Sequence, residues 1–410
     1  MSRTEVSKNV WCPETAWEHC LKKRDLWECL RLIQIAGWQL LSKYLNGGIG
    51  NYWYLYPFHI GCSKTLRTSS ASLVNQWISL CEEFDIEKPF SNSVTPTVTQ
   101  TLCVHYRTLG NYLRTKQVDK VIRISQTEVL NSDRHDETTK MLRLIEPLRP
   151  FLLSYWFHGS VGSNDIKPAW SDFDGLAIVS NKAFSSSDNL QKLRRGLIQA
   201  RSCLVDFFPA QMHGHFVVTE PDMLWYPTPM FPTTLFRHAS CALATVDYLS
   251  FRETDDRRMA LEMLWIHGIV DLLKPSNYHL RDTIRKIVFL HRVFLLPCLV
   301  LQAHGKPCFK WEAFERLTEV FTPEEANLFQ QVSQVWKNWQ QPPIYVRTLA
   351  RLAWPFRFNP LLYQQVSHKI MRNLPWFSRA DKVNWEALTD GMRTTTMDVW
   401  QRILQEVEVD

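Results

Sequence analysis

The stretch from Phe157 to Val179 joins a glycine-containing turn to an acidic strand, and it constrains the fold more than any other part of the sequence. Tyr155–His158 is a short aromatic segment that runs directly into Gly159 and Ser160. Glycine at this point lets the backbone turn tightly and approach a ligand closely. Exposed amides beside a hydroxyl suit a phosphate group. The sequence therefore predicts a phosphate-binding turn at Gly159 and Ser160.

A pair of aspartates leads into an apolar run. Asp172 and Asp174 precede Gly175–Val179, which has the length and composition of a buried strand. Residues i and i+2 of a strand point to the same side, so both carboxylates face one place. Carboxylate oxygens suit Mg²⁺, which usually keeps some waters and takes further oxygens from substrate phosphates. The sequence therefore predicts a site for Mg²⁺, or Mn²⁺, at Asp172 and Asp174.

This order of a Gly-Ser turn, a spacer and an Asp-x-Asp strand resembles the signature of the DNA polymerase β-like nucleotidyltransferase superfamily. The resemblance covers roughly residues 140–225. It implies that Gly159 and Ser160 hold the triphosphate of a nucleotide. It also implies that Asp172 and Asp174 bind two divalent ions, and that a third carboxylate on a later strand completes the site.

The next predicted strand, Gln211–Thr219, carries histidines where that acid is expected. His213 and His215 share a face if the segment is extended. One interpretation treats them as ordinary polar residues at a strand start. A second makes one of them a base for the acceptor hydroxyl, with His215 as the catalytic residue, because imidazole titrates near neutral pH. A third joins both histidines to Asp172 and Asp174 as ligands of zinc, iron or manganese in a metallohydrolase.

Other charged residues are further candidates for the same site. Asp206, Glu220 and Asp222 are alternative third carboxylates, and Glu220 is preferred because it lies nearest the predicted strand. Lys167, in the spacer between the turn and the aspartates, is a candidate nucleotide-binding residue that could reach a phosphate.

The composition indicates a globular protein without a membrane partner. Hydrophobic residues make up 45% of the 410 residues, and the net charge of +6 permits an anionic substrate without requiring a nucleic acid. Ten cysteines without a C-x-x-C pair indicate reduced thiols. The apolar run Ile287–Leu301 is broken by charges and a proline, so it predicts a core helix rather than a membrane span. With no apolar signal region at the N-terminus, we expect a cytoplasmic protein.

Helical periodicity and short strands together predict an α+β fold with three regions. Residues 1–135 are expected to be mostly helical, residues 136–225 to form a small mixed-sheet nucleotidyltransferase core, and residues 226–410 to form a helical bundle. Individual helices are predicted at 14–45, 69–84, 139–153, 188–207, 239–250, 257–273, 279–303, 311–319, 323–339 and 383–406.

These observations make an enzyme the first hypothesis. A metal-dependent nucleotidyltransferase would move a nucleoside monophosphate from an NTP such as ATP to a hydroxyl and release pyrophosphate. The predicted bundle and the many aromatic residues, 17 Trp and 22 Phe among them, favour a small-molecule acceptor over a tRNA end or a protein side chain. The alternatives are a nucleotide-binding or interaction protein that kept the fold without activity, and the metallohydrolase that uses His213 and His215.

Overall fold

The structure is a computed structural model whose described residues lie between Pro13 and Val409, with gaps. The described residues are 13–47, 69–90, 96–118, 120–127, 136–164, 166, 171–208, 213–229, 231–254, 257–264, 268–269, 272, 283–337, 352, 354–356, 362, 365–366, 369–370 and 383–409. Lys167 lies outside them, so its predicted role stays a prediction.

Two sheets are built from the strands of the described chain. The strands are β1 (Lys120–Ser125), β2 (Leu152–His158), β3 (Asp174–Val179), β4 (Phe216–Thr219), β5 (Tyr226–Pro227), β6 (Ser240–Ala244) and β7 (Tyr248–Thr254). The larger sheet has the order β4-β3-β2-β6, and the smaller sheet has the order β1-β7-β5. In the larger sheet β2 is antiparallel to β3 and β6, while β3 is parallel to β4. Mixed sheets among helices confirm the predicted α+β class.

Helices precede, connect and follow these strands. Up to the end of β4 and just beyond it, the helices are α1 (Pro13–Lys22), α2 (Leu26–Leu45), α3 (Ser70–Phe84), α4 (Val98–Thr115), α5 (Asp136–Ile145), α6 (Gly159–Gly162), α7 (Ser187–Phe207) and α8 (Glu220–Met223). The later described helices are α9 (Arg257–Met263), α10 (Thr283–Ala303), α11 (Lys310–Glu315), α12 (Pro323–Lys337) and α13 (Trp385–Val409). The helices predicted at 69–84 and 188–207 are confirmed, and the segment predicted at 14–45 forms α1 and α2.

The larger sheet separates two hydrophobic cores. Alternate residues of a strand point to opposite faces, and β3 shows this directly. Ala177 and Val179 pack into a core shared with helices α2, α3, α4 and α7. Leu176 and Ile178 pack into the other core, which is shared with β7 and with the helices after it. Every residue of β3 is buried, so the start of this strand, at Asp174, is held from both sides.

The helix predicted at 139–153 is shorter than expected. Helix α5 ends at Ile145, a 3-10 turn covers Glu146–Phe151, and β2 begins at Leu152. Two prolines inside the 3-10 turn, Pro147 and Pro150, lack the N–H that a continuing α-helix needs. The chain therefore leaves the helix early enough to form the strand that precedes Gly159.

The helix predicted at 239–250 is wrong, because this segment forms β6 and the start of β7. Leu249, Phe251 and Glu253 of β7 are buried and alternate with more exposed residues, which is the period of a strand. Strand β6 pairs with β2, so the sheet of the predicted core extends past residue 225. The predicted N-terminal region also contributes a strand, because β1 pairs with β7. Strands from different predicted regions therefore pair with each other, β1 with β7 and β2 with β6.

Helix α10 contains the apolar run Ile287–Leu301. Leu290, Val293 and Leu296 are fully buried in the core that the later helices share, as the sequence predicts for a core helix. Among the described residues, no helix combines the length and the apolar character that crossing a bilayer requires.

Candidate metal centre

Three side chains converge at the edge of the larger sheet. One potential ligand atom from each of Asp172, Asp174 and His213 lies within 4.8 Å of the others. Nε2 of His213 lies 3.1 Å from Oδ2 of Asp172 and 3.0 Å from Oδ1 of Asp174. The exposed fraction of the side chain is 13% for His213, 19% for Asp172 and 10% for Asp174. The two aspartates thus face one place, as their i, i+2 spacing predicts.

The pairing of three strands brings these residues together. Asp174 is the first residue of β3, and its backbone pairs with His158, the last residue of β2. Strand β4 runs parallel to β3 with Leu176 opposite Phe216, so the residues that precede the two strands meet at one sheet edge. His213 precedes β4 and Asp172 precedes β3, so both lie at that edge.

The ring of His213 is surrounded by acceptors. Nδ1 lies 3.0 Å from the carbonyl oxygen of Gly214, while Nε2 faces the two carboxylates. Both nitrogens therefore carry protons in this arrangement. Burial by itself lowers the pKa of His213, but the hydrogen bonds and charges of Asp172 and Asp174 outweigh it and raise the pKa to about 10. At neutral pH the imidazolium neutralises one of the two carboxylate charges.

The same geometry fits a divalent ion. Metal-binding histidines usually donate one ring N–H to a carbonyl or carboxylate, which fixes the tautomer and leaves the other nitrogen for the metal. Nδ1 of His213 makes this contact with Gly214, so Nε2 faces the carboxylates as a potential ligand. Ligation by Nε2 requires release of its proton, so an ion and that proton compete for the same place.

The glycine turn predicted to bind phosphate lies against the carboxylates. It forms the short helix α6, which begins directly after β2. Gly159 has a φ of +60°, and a Cβ atom at this position would lie only 2.1 Å from Oδ2 of Asp174. Ser160 follows as a half-buried residue. Ser163 closes the turn by donating its hydroxyl to the carbonyl of Gly159 over 3.0 Å. Glycine is therefore required by both backbone conformation and space.

His215 lies outside this group, in contrast to its predicted catalytic place. Its Nε2 donates to the carbonyl of Leu197 over 2.9 Å, so Nδ1 accepts the hydroxyl proton of Tyr155 over 2.7 Å. The residue is buried, and burial is the main cause that lowers its pKa to about 3. The two histidines therefore face different surroundings, and a ligand set that contains both is not formed. His215 is a neutral core residue that anchors the segment.

The alternative carboxylates each have another partner. Asp206 pairs with Lys140 over 2.6 Å, and Glu220 accepts the backbone N–H of Asn181 over 2.8 Å. Asp222 is buried and accepts the hydroxyl of Thr219 over 2.6 Å. The described residues place none of these acids beside Asp172 and Asp174. Among the described residues, His213 is instead the third potential ligand beside the two aspartates.

Comparisons with models of protein families, with curated proteins and with solved structures find no match. The site is therefore defined by its own geometry. It is a candidate metal centre of two carboxylates and one imidazole, with a glycine turn against it, on a mixed sheet.

Proposed function

We propose that this protein is a metal-dependent nucleotidyltransferase that moves a nucleoside monophosphate from an NTP to a hydroxyl group and releases pyrophosphate. The close approach of Gly159 to Asp174 carries this proposal. A nucleotidyl-transfer site needs a polyphosphate contact and carboxylates beside each other, because the carboxylates would hold the metal that neutralises the charge of the phosphates. The turn and the Asp-x-Asp pair of this chain supply these two parts in contact.

The residues at the site have distinct proposed roles. Asp172, Asp174 and His213 would hold Mg²⁺ or Mn²⁺, which when bound neutralises phosphate charge and activates the acceptor oxygen. Gly159 and Ser160 would bind the β- and γ-phosphates through backbone amides and the hydroxyl. The acceptor oxygen forms a bond to the α-phosphorus as the bond to the pyrophosphate oxygen breaks. Asp172, the more exposed of the two carboxylates, would receive the hydroxyl proton.

A small molecule is the favoured acceptor. Strand alternation puts Asp174 on the same face as Leu176 and Ile178. That face packs into the core to which the later described helices contribute, so these helices would cover a bound acceptor. An acceptor enclosed between the sheet edge and helices would be of modest size.

Pyrophosphate release tests this function. Purified protein is incubated with each of the four NTPs, with Mg²⁺ or Mn²⁺, and with a panel of hydroxylated small molecules and total tRNA. The Asp172→Ala, Asp174→Ala double variant is the inactive comparison. Asp206→Ala is the matched control, because this acid pairs with Lys140 away from the site. Release by wild type and by the control, and its loss in the double variant, supports the proposal.

Binding of nucleotide without any release of pyrophosphate would contradict nucleotidyl transfer and favour the inactive binding protein.

A second candidate, a metal-dependent hydrolase, is favoured by one observation: the imidazole of His213 faces the carboxylates as a potential ligand. Imidazole suits manganese, iron and zinc better than magnesium. A transition metal that survives dialysis, together with hydrolysis that needs no acceptor, would identify this second function.

A further inference from the structure

The segment that carries His213 needs support from elsewhere in the chain. Residues 213–215 precede β4 and have no strand conformation of their own. His215 nevertheless has both backbone groups bonded to one side chain, that of Asn46. Its N–H donates to Oδ1 of Asn46 over 2.8 Å, and its carbonyl accepts from Nδ2 over 2.9 Å. The amide of Asn46 thus replaces the hydrogen bonds that a neighbouring strand would make.

Asn46 is itself held firmly. It is the C-terminal cap of α2, and its backbone N–H donates to the carbonyl of Ser42 over 3.1 Å. Its Nδ2 donates to the same carbonyl over 2.9 Å. Its own carbonyl accepts from Nη1 of the buried Arg201 over 2.8 Å. Asn46 is only 2% exposed, so its amide has little freedom to turn away from His215.

Gly214, the residue between the two histidines, leaves the space that the side chain of Asn46 occupies. A Cβ atom at Gly214 would lie 1.9 Å from Oδ1 of Asn46 and 3.1 Å from Nη1 of Arg201. Only glycine therefore lets the segment approach Asn46 this closely. The carbonyl of the same Gly214 lies 3.0 Å from Nδ1 of His213, so the backbone that Asn46 holds also orients the imidazole.

We infer that Asn46 is a positioning residue for the metal centre: through the backbone of residues 214 and 215 it sets where Nε2 of His213 lies relative to Asp172 and Asp174. The inference rests on the metal-binding part of the proposed function. Within the described chain the side chain and carbonyl of Asn46 bond Ser42, Arg201 and His215, so Asn46 would act on the centre through Gly214 and His215.

The affinity of the protein for Mn²⁺ alone tests the inference. Asn46→Ala removes both hydrogen bonds to His215, and Asn46→Asp keeps an acceptor for the N–H but loses the donor to the carbonyl. Gln34→Ala is the matched control, because Gln34 is a buried amide on the same helix that bonds Asp222 and the carbonyl of Trp225 instead. Both alanine variants lose a buried amide, so their stability costs should be similar.

We expect the dissociation constant for Mn²⁺ to rise about 10-fold to 100-fold in Asn46→Ala, as for other residues that orient metal ligands. The increase should be smaller in Asn46→Asp, and Gln34→Ala should bind as wild type does. An equal loss of affinity in Gln34→Ala and Asn46→Ala would overturn the inference, because it would show a general effect of stability.

A second measurement does not depend on metal binding. The ring N–H signals of His213, assigned by their absence in His213→Gln, are recorded by NMR in metal-free protein. We expect these signals to shift in Asn46→Ala and to stay in place in Gln34→Ala. Failure of wild type to bind Mn²⁺ would count against the proposed function, whereas unchanged His213 signals in Asn46→Ala would overturn the role of Asn46.

Discussion

Gly159 leaves no room for a side chain beside Asp174: a Cβ atom on it would lie 2.1 Å from the carboxylate oxygen Oδ2. The last residue of β2, His158, pairs with Asp174 at the same point. The turn and the carboxylate are therefore one structural unit, and a change in the turn must displace the carboxylate.

Gly159→Ala should weaken the metal centre and the fold together. Alanine meets Oδ2 of Asp174 and is strained at a φ of +60°, so we expect a loss of about 1–3 kcal/mol in the free energy of unfolding. Metal affinity should fall as well. Gly110→Ala is the control. Gly110 lies within α4, and a Cβ atom on it would make only an ordinary contact of 3.5 Å with Pro221. Urea unfolding measures the stability, and calorimetry measures the affinity for Mn²⁺. A Gly159→Ala protein that binds Mn²⁺ as wild type does would contradict the close packing of residue 159 against Asp174.

Two buried tyrosines should respond differently to loss of the hydroxyl. Tyr155 donates to His215, whereas the hydroxyl of Tyr106 is buried and has no hydrogen-bond partner among the described residues. We expect Tyr155→Phe to cost about 1–2 kcal/mol of unfolding free energy, because Nδ1 of His215 is left unpaired. Tyr106→Phe should be neutral or slightly stabilising. Urea unfolding of both variants is the measurement, and an equal cost would show that the Tyr155 bond contributes nothing.

Stability should fall in mild acid because two histidines are buried in neutral form. Burial lowers the pKa of His105 and of His215 to about 3, against 6.5 for an ordinary histidine. A lowered folded-state pKa means that the unfolded chain binds protons first as the pH falls. Above pH 6.5 both histidines are neutral in the folded and in the unfolded chain, so the free energy of unfolding keeps their full contribution. Between pH 6.5 and 3 the unfolded chain binds protons that the folded chain does not, and stability is lost. Each histidine contributes a slope of up to about 1.4 kcal/mol per pH unit.

Urea unfolding across that range measures the slope. His105→Gln removes one of the two groups, so its stability should depend less steeply on pH than that of wild type, whatever its absolute stability. An identical pH dependence in the variant would show that His105 is not a neutral residue in the folded protein.

His213→Gln should alter which metal the site prefers. The change removes an imidazole nitrogen and leaves both carboxylates. Affinity for Mn²⁺ or Zn²⁺ should drop at least about 10-fold. Loss of a residue that only orients a metal ligand already costs about that much, and loss of the ligand itself should cost no less. Affinity for Mg²⁺, which prefers oxygen, should drop less. His238→Gln is the control, because His238 bonds Glu312 instead. Calorimetry with each metal decides, and equal losses for all metals would mean that His213 is not a ligand.

The parts of the site set by local sequence could be predicted. The turn at Gly159 and the shared face of Asp172 and Asp174 depend on residues within one short stretch, and the structure shows both. Helices α3 and α7 were likewise predictable, because each has a regular apolar face and a serine that caps its N-terminus, Ser69 and Ser186.

The choice between the two histidines could not be predicted. Residues i and i+2 share a face only in an extended segment, and residues 213–215 are held instead by Asn46, which is 169 positions away. The pairing of β1 with β7 is also remote, joining Lys120 to Glu253. A single sequence indicates periodicity within an element, but it does not indicate which distant element will supply a hydrogen-bond partner.

The bond between Asn46 and His215 also has a consequence for synthesis of the protein on the ribosome. The two residues are 169 positions apart, so at about 5–20 residues per second Asn46 is made roughly 10–30 s before its partner. During that interval the side-chain amide of Asn46, at the end of α2, has not yet met the backbone of His215. The sheet edge can close only after β4, which ends at Thr219, has emerged, so the candidate metal centre cannot form until about half of the 410 residues have been made.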